Sequence, residues 1–437
     1  MRTTTYFTLT IVLWLVFGQF SRAQLGKDAL ETVEISEVES AFPVGFCMKT
    51  YKNNQYLAYY DASHNMVMAK RELGSSTWQK TILPTKVGWD SHNFVTFAFD
   101  KEGFIHLSGN IHAVPLIYFK SKKSENIDEF EVLNYMTGKE ELRTTYPQFM
   151  TNNEGDLIFH YRSGGSGNGF EVYNRYDSKT KTWKRLLDTP LIDGKGHRNA
   201  YMQGPTMGKD GYYHLIWVWR DSPDCSTNHT LSYARSKDLI HWESIRGEQV
   251  PLPITIENKE LVVDGTPVKG GLFNPGIKLS FDSNKRPLIG YHKYDTDGNN
   301  QLYVARFENG SWKQVQLTNW KYRWQFEGGG SMKSELSINA PMIIDSNTMA
   351  FGYKHIRYGS AQVLFDQTTL QPKGIRDTPS LFPNEYSKVQ SNFPNMIVNT
   401  LVDGPYLLRW ETLPANRDRK PEGELPPPSK LMLYKIK

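Results

Sequence analysis

Cysteine is nearly absent: Cys47 and Cys225 are the only two in 437 residues. A disulfide framework is therefore excluded as the basis of the fold, and one bridge, two buried thiols or a single metal-ligating cysteine stay open. Charge of one sign is lacking too. Lys and Arg number 51 against 46 Asp and Glu, a formal net charge of +5 with no basic block, which argues against a nucleic-acid partner. No stretch holds a sustained helical period, and no phosphate-binding glycine pattern occurs. Past the first two dozen residues, no apolar run is long enough to cross a bilayer.

What is present begins at the N-terminus. MRTTT, the apolar run YFTLTIVLWLVFG and then QFSRAQ read as a secretory signal peptide over residues 1–23. A membrane anchor is the alternative, although the run is short for a span. The remaining chain is expected to be secreted or periplasmic, with cell-surface attachment open, and to be a monomer.

Aromatic residues make up 13% of the chain, and they gather in short strand-like runs. FVTFAFD, FIHLSGN, DLIFHYR, YYHLIWVWR and RPLIGYHKY are bounded by Asp-Gly, Asn-Gly, Glu-Gly or Asn-rich turns. A diffuse repeat emerges from Phe97, Met150, Met207, Leu279 and Met342, each opening a strand, an acidic or Asn-containing turn and a second strand. Several units add a third strand and a fourth bearing Trp78, Trp183, Trp242 or Trp312. Four-stranded units in succession predict an all-β, seven-bladed β-propeller, with six or eight blades, a β-sandwich or a β-helix as alternatives. Residues 24–437 are expected to form one such domain, closed by the C-terminal strand LMLYKIK, with an inserted loop beginning at Ile256.

In a propeller, loops and strand ends at one face meet around a central channel. His92 in WDSHN and His112 after the Ser-Gly-Asn turn occupy such places, whereas His106 inside FIHLSG reads as a structural histidine. Asn93 and Asn110 lie between the two histidines and, with His197 and Arg198, are candidate substrate ligands. Tyr146 opens YPQFM, Arg162 precedes the loop SGGSGNG, and GHRNAY supplies His197, Arg198 and Tyr201. Arginine beside histidines and tyrosines suits proton abstraction next to a uronic-acid carboxylate. A cation neutralises the carboxylate, a His or Tyr takes the C5 proton, and a Tyr or His protonates the leaving oxygen. Cys225 and His229, spaced C-x3-H, are loosely compatible with zinc, with His292 or His214 completing the set. NHT and NGS match glycosylation sequons.

The segment GWDSHNFVTFAFDKEGFIHLSGNIH, with YPQF, FHYRSGGSGNG and GHRNAY, resembles the BNR-4 type propeller family. That family includes ulvan lyases and relatives acting on rhamnose–glucuronic acid linkages of arabinogalactan and gum arabic. The resemblance implies a β-elimination site. It places the paired catalytic histidines on His92 and His112, the cleft tyrosine on Tyr146 and the carboxylate-neutralising arginine on Arg162. A further catalytic tyrosine falls on Tyr201, with Tyr213 as the alternative. The partner is then an anionic uronate-containing glycan. No cofactor is required for the chemistry, while a structural zinc or calcium on Cys225, His229 and His292 fits the family habit. Relatives described as α-L-rhamnosidases carry a histidine before PVGF, where this chain has Phe42 in AFPVGF. Elimination is therefore expected over hydrolysis by a rhamnosidase, or over carbohydrate binding without catalysis.

Overall fold

Runs such as LIFHYRSGG and YHLIWVWR become strands, Leu157–Gly165 and Tyr213–Arg220, because aromatic and branched side chains fit a pleated surface covered on both faces. Every residue of the second strand is buried. The turn before it forms at Asp210–Gly211, where Gly211 takes φ +85° and the Gly208 N–H donates to the Tyr212 carbonyl at 2.8 Å. Glycine is favoured in that left-handed conformation.

The computed structural model describes residues 29–379 and 382–436. The expected signal peptide, residues 1–23, lies outside the described residues. The all-β class is as expected. Strands assemble into seven antiparallel sheets among the described residues, most of them built from strands consecutive in sequence. One runs through Cys47–Tyr51, Asn54–Tyr60, Asn65–Glu72 and Gln79–Lys86, and another through Ile277–Phe281, Pro287–Tyr294, Asn300–Glu308 and Ser311–Gln316. A further sheet joins distant parts of the chain: Ser429–Lys435 lies between Glu31–Val38 and Tyr406–Thr412, in register Glu31↔Lys435 and Val38↔Ser429.

Apolar clusters fill the spaces between neighbouring sheets. Ile216 and Val218 pack with Ile289 and Tyr291 of the next sheet, and Phe159 and Trp183 pack with Ala98 and Ile111. Each Ile, Val or Phe side chain among them contributes about 1.5–3 kcal/mol by leaving water. Trp183 and Trp312 lie on edge strands, Trp242 lies on a short strand between Asn228–Ser236 and Gln249–Val250, and Trp78 immediately precedes its strand. The segment expected as a loop from Ile256 is more ordered than that. It holds the strand Val262–Asp264, paired with Asn228–Ser236, and a short 3-10 turn at Asn274–Gly276. Cys47 and Cys225 are both free thiols, so no bridge joins them.

Candidate active site

The site forms where strand ends from several sheets converge. Asp90, in the turn before Val95–Phe99, is its organising residue. Its carboxylate accepts from His92 Nδ1–H at 2.8 Å through one oxygen and from His112 Nδ1–H through the other. The two imidazole rings lie 4.5 Å apart. Asp418, from the C-terminal tail, brings a second carboxylate to 3.3 Å from His92 Nδ1, and the Ser331 N–H holds it at 3.0 Å. Burial would lower the His92 pKa, but Asp418 and Asp90 outweigh it and raise the value to about 9. Burial would likewise raise Asp90, and its bonds to His112 and His92 reverse this and hold it well below the carboxylate range. At neutral pH His92 is therefore an imidazolium, with Nε2 left for the cavity it lines.

Tyr146 and Tyr201 complete the wall, with ring centroids 6.3 Å apart. Tyr146 sits at φ +59° in an irregularity between Thr145 and Gln148 of the strand Thr144–Thr151, a strained backbone of the kind that concentrates at functional sites. Tyr201, on Asn199–Met207, accepts from Arg220 Nη1 at 2.9 Å and shares a 2.6 Å hydrogen bond with Ser166 Oγ. The environments of the two phenols diverge. Burial and the neighbouring Tyr201 push Tyr146 far up. Burial acts the same way on Tyr201, but Arg220 and Arg162 overcome it and leave its pKa below the ordinary value.

The glycine-rich loop after Arg162 serves this arrangement. Gly167 takes φ +73°, and a Cβ there would meet the Ser222 backbone at 2.5 Å. The close approach fixes the hairpin whose Ser166 holds Tyr201.

Two adjoining cavities share His92, Tyr146, Tyr201, Asn274 and Pro275. The larger, about 420 Å³, adds Arg220, Lys278 and an apolar flank with Phe273, Leu336 and Ile338. The smaller, about 300 Å³, adds Gln148, His160 and Glu171. Burial raises Glu171 to about 7 against the opposing pull of Arg162, its cross-strand neighbour.

Several expectations change on the structure. Arg162 is buried and lines neither cavity. Its guanidinium lies 4.9 Å from the Tyr146 ring centre and 5.8 Å from that of Tyr201, close enough to act on the Tyr201 hydroxyl. It acts on the tyrosines from behind. His197 is exposed, Arg198 Nε is bound to Asp221 at 2.9 Å, and neither lines the cavities. Asn110 donates to Thr85 Oγ1 at 2.8 Å and to the Lys86 carbonyl at 2.9 Å, so it braces the neighbouring sheet. The Asn93 carbonyl accepts from Tyr60 at 2.7 Å and its side-chain oxygen is buried, again away from the cavities. Tyr213 packs in a core cluster, whereas Tyr201 lines both cavities.

The proposed metal ligands also stay apart. Cys225 Sγ lies 4.0 Å from Met332 Sδ, His229 Nε2 faces Asp221 at 3.0 Å, and His292 is buried beside Phe273 and Trp324. These residues do not fit a shared zinc or calcium. Among the described residues only Asp90, His92 and His112 bring such ligand atoms close together, and there the Nδ1–H groups already bind the carboxylate. His106 belongs to the scaffold as expected. Its Nε2–H donates to Asp100 at 3.2 Å and its Nδ1 accepts from Tyr118 at 2.6 Å, and His214 repeats this with Asp210 and Tyr233.

Sequence reasoning passed over Asp90, Asp418, Arg220 and Ser166. Arg220 had a signal: it ends YYHLIWVWR just as Arg162 ends DLIFHYR. Asp418 had none, because only the fold brings the tail back.

Comparison with known proteins places these features in context. The model of the BNR repeat-containing family matches residues 54–320. A short-isoform ulvan lyase of Alteromonas sp. (strain LOR) is 38% identical over 148 residues, covering 31% of this chain and 28% of that protein. A long-isoform ulvan lyase of Pseudoalteromonas sp. (strain PLSV) is 51% identical over 186 residues, 37% of this chain and 16% of the relative. The matches thus span less than a third of these relatives' length. In fold, the chain is similar to polysaccharide lyase Uly1, with TM-score 0.61 and 13% identity over 94% of this chain and 100% of that one. A PL25 ulvan lyase bound to -[GlcA(1-4)Rha3S]- superposes with TM-score 0.59 and 14% identity over 93% and 96%. With more than half of its length matched by the family model, the chain belongs to the BNR repeat-containing family.

Proposed function

We propose that this protein is a secreted polysaccharide lyase that cleaves a rhamnose- and glucuronic acid-containing glycan by β-elimination. Its seven sheets are read as the blades of one propeller, closed where the C-terminal strand pairs beside the N-terminal one. The observation that carries the reading is the pair of tyrosines driven in opposite directions beside a histidinium. Titratable groups whose surroundings push them apart take opposite acid–base roles.

In this reading His92 neutralises the uronate carboxylate, which makes the C5 proton more acidic. Tyr201, favoured as phenolate by Arg220 and Arg162, takes that proton. The C5–H electrons form the double bond between C4 and C5, the bond from C4 to its oxygen breaks, and Tyr146 gives its proton to the departing oxygen. Asp90 and His112 hold the histidinium in place, and Arg162 is a positioning residue for both phenols. No step uses a metal.

The position where a histidine would favour hydrolysis is Phe42, buried against Trp89 at 5.6 Å between ring centres. No titratable group stands at that position. The test is incubation with ulvan, gum arabic and a rhamnose–glucuronate disaccharide, followed by product analysis. An ultraviolet-absorbing unsaturated uronate is expected from at least one. Free rhamnose with saturated glucuronate, or binding without any product, refutes the proposal.

A further inference from the structure

Elimination as proposed leaves the tyrosine pair inverted. Tyr201 ends with the C5 proton, and Tyr146 ends as a phenolate after protonating the leaving oxygen. A second turnover requires Tyr146 to regain a proton, and burial together with the neighbouring Tyr201 makes its phenolate a strong base. The donor must lie at the cleft, hold a proton near neutral pH and have no competing duty in the fold.

Glu171 meets these conditions. It sits on the strand Asn168–Asp177, is 6% exposed, and lines the smaller cavity together with Tyr146, Tyr201 and His92. Its backbone is engaged, the N–H donating to the Ile192 carbonyl at 2.9 Å and the C=O accepting from the Leu191 N–H at 3.0 Å. Its carboxyl makes no hydrogen bond or ion pair among the described residues. Arg162 is its cross-strand partner, yet that guanidinium is directed at the two phenol rings. Burial keeps the Glu171 carboxyl a neutral acid up to about pH 7. The other titratable groups around it do not replace it. Burial holds His160, on the same wall, neutral with a pKa of about 4, and burial and Glu171 push Tyr173 well above its ordinary value. His92 keeps its proton up to about pH 9 and is bound to Asp90 and Asp418. A buried carboxyl without a partner costs free energy, which a place in the reaction explains and a place in the scaffold does not.

We propose that Glu171 is the proton relay that restores Tyr146 between turnovers. This rests on the elimination reading for how Tyr146 loses its proton. Once the leaving oxygen has departed, the Glu171 O–H bond breaks and its proton passes to the Tyr146 oxygen across the cavity, directly or through one water. The electron pair stays on Glu171 as a carboxylate, which takes a new proton from a buffer acid. Tyr201 gives the C5 proton to a buffer base, so one proton enters and one leaves in each cycle. The first transfer is downhill, because a carboxyl is a stronger acid than a phenol. It follows the chemical step, so it limits kcat and leaves kcat/KM untouched.

The experiment takes whichever of ulvan, gum arabic and a rhamnose–glucuronate disaccharide gives the unsaturated product, and follows its absorbance in single and multiple turnovers. Glu171→Gln is expected to lower kcat and KM by the same factor, about 10²-fold, and to keep a full first turnover as a burst. Added imidazole buffer raises the kcat of this variant toward that of wild type. Glu171→Asp, which keeps an acid, recovers most of the rate without added buffer, and thermal unfolding checks that both variants stay folded. An unchanged kcat overturns the relay, as does a kcat/KM that falls with kcat or a slow turnover that does not respond to buffer. A wild type that gives no unsaturated product from any of the three overturns the elimination reading and the relay together.

Discussion

Replacing Asp418 by Asn removes a carboxylate and leaves the shape of the tail almost unchanged. Asp418 lies 3.3 Å from His92 Nδ1, with side chains 14% and 23% exposed. At that separation two unit charges interact by about 5 kcal/mol at an effective dielectric of ~20 and about 1 kcal/mol in bulk water. Partial exposure places the pair near about 2 kcal/mol, and 1.36 kcal/mol corresponds to one pH unit. The His92 pKa should therefore fall from about 9 to roughly 7–8. If the imidazolium neutralises the substrate carboxylate, the alkaline limb of the pH profile of kcat/KM moves down by the same interval. Imidazole NMR titration reads the shift directly, and the pH profile reads its consequence. An alkaline limb that stays in place while the NMR pKa moves would refute the role given to His92.

The same group makes a stability prediction. Its folded pKa is raised from 6.5 to about 9. The stabilisation is thus complete below pH 6.5 and is lost as pH rises through about 9, at most roughly 3 kcal/mol. The denaturant midpoint of the wild type should decline across that window, and that of Asp418→Asn by less.

Tyr146→Phe deletes the proton donor while keeping the ring, and kcat should fall about 10²–10⁴-fold with KM little changed; a KM effect alone would make Tyr146 a binding residue. Arg162→Met removes a buried cation held near the two phenols rather than in an ion pair. Unfolding temperature should hold or rise, while the acidic limb of activity moves to higher pH as Tyr201 loses a stabilising charge; full activity with an unmoved limb contradicts its positioning role. Because the proposed steps use side chains only, prolonged EDTA treatment followed by dialysis should leave turnover unchanged. Loss restored by zinc or calcium would speak against that chemistry.

The strands were legible because their signals are local. Period, turn residues and aromatic content of runs such as YYHLIWVWR depend on neighbours a few residues away, and the all-β class follows from them. His92, His112, Tyr146 and Tyr201 could be singled out because strand ends and short loops carry polar groups without a structural duty. Their grouping is a property of the fold, as the 4.5 Å between the histidine rings shows. Composition of the chain also misled. His197 and Arg198 are polar and adjacent to the site in sequence, yet their strand entry faces away, and Arg198 is consumed by Asp221. Cys225 and His229 are close in sequence, but the 3-10 turn Cys225–Thr227 sends the thiol toward Met332 and the strand that follows sends the imidazole toward Asp221. Asp418 was out of reach of any local reading, because its contact with His92 spans the chain.

Elimination at the uronate is tested most directly with a rhamnose–glucuronate substrate carrying deuterium at C5 of the uronate. The account predicts slower turnover than with the unlabelled substrate, complete loss of the label to solvent and an unsaturated product. Retention of deuterium in a saturated glucuronate, released together with rhamnose, would contradict it.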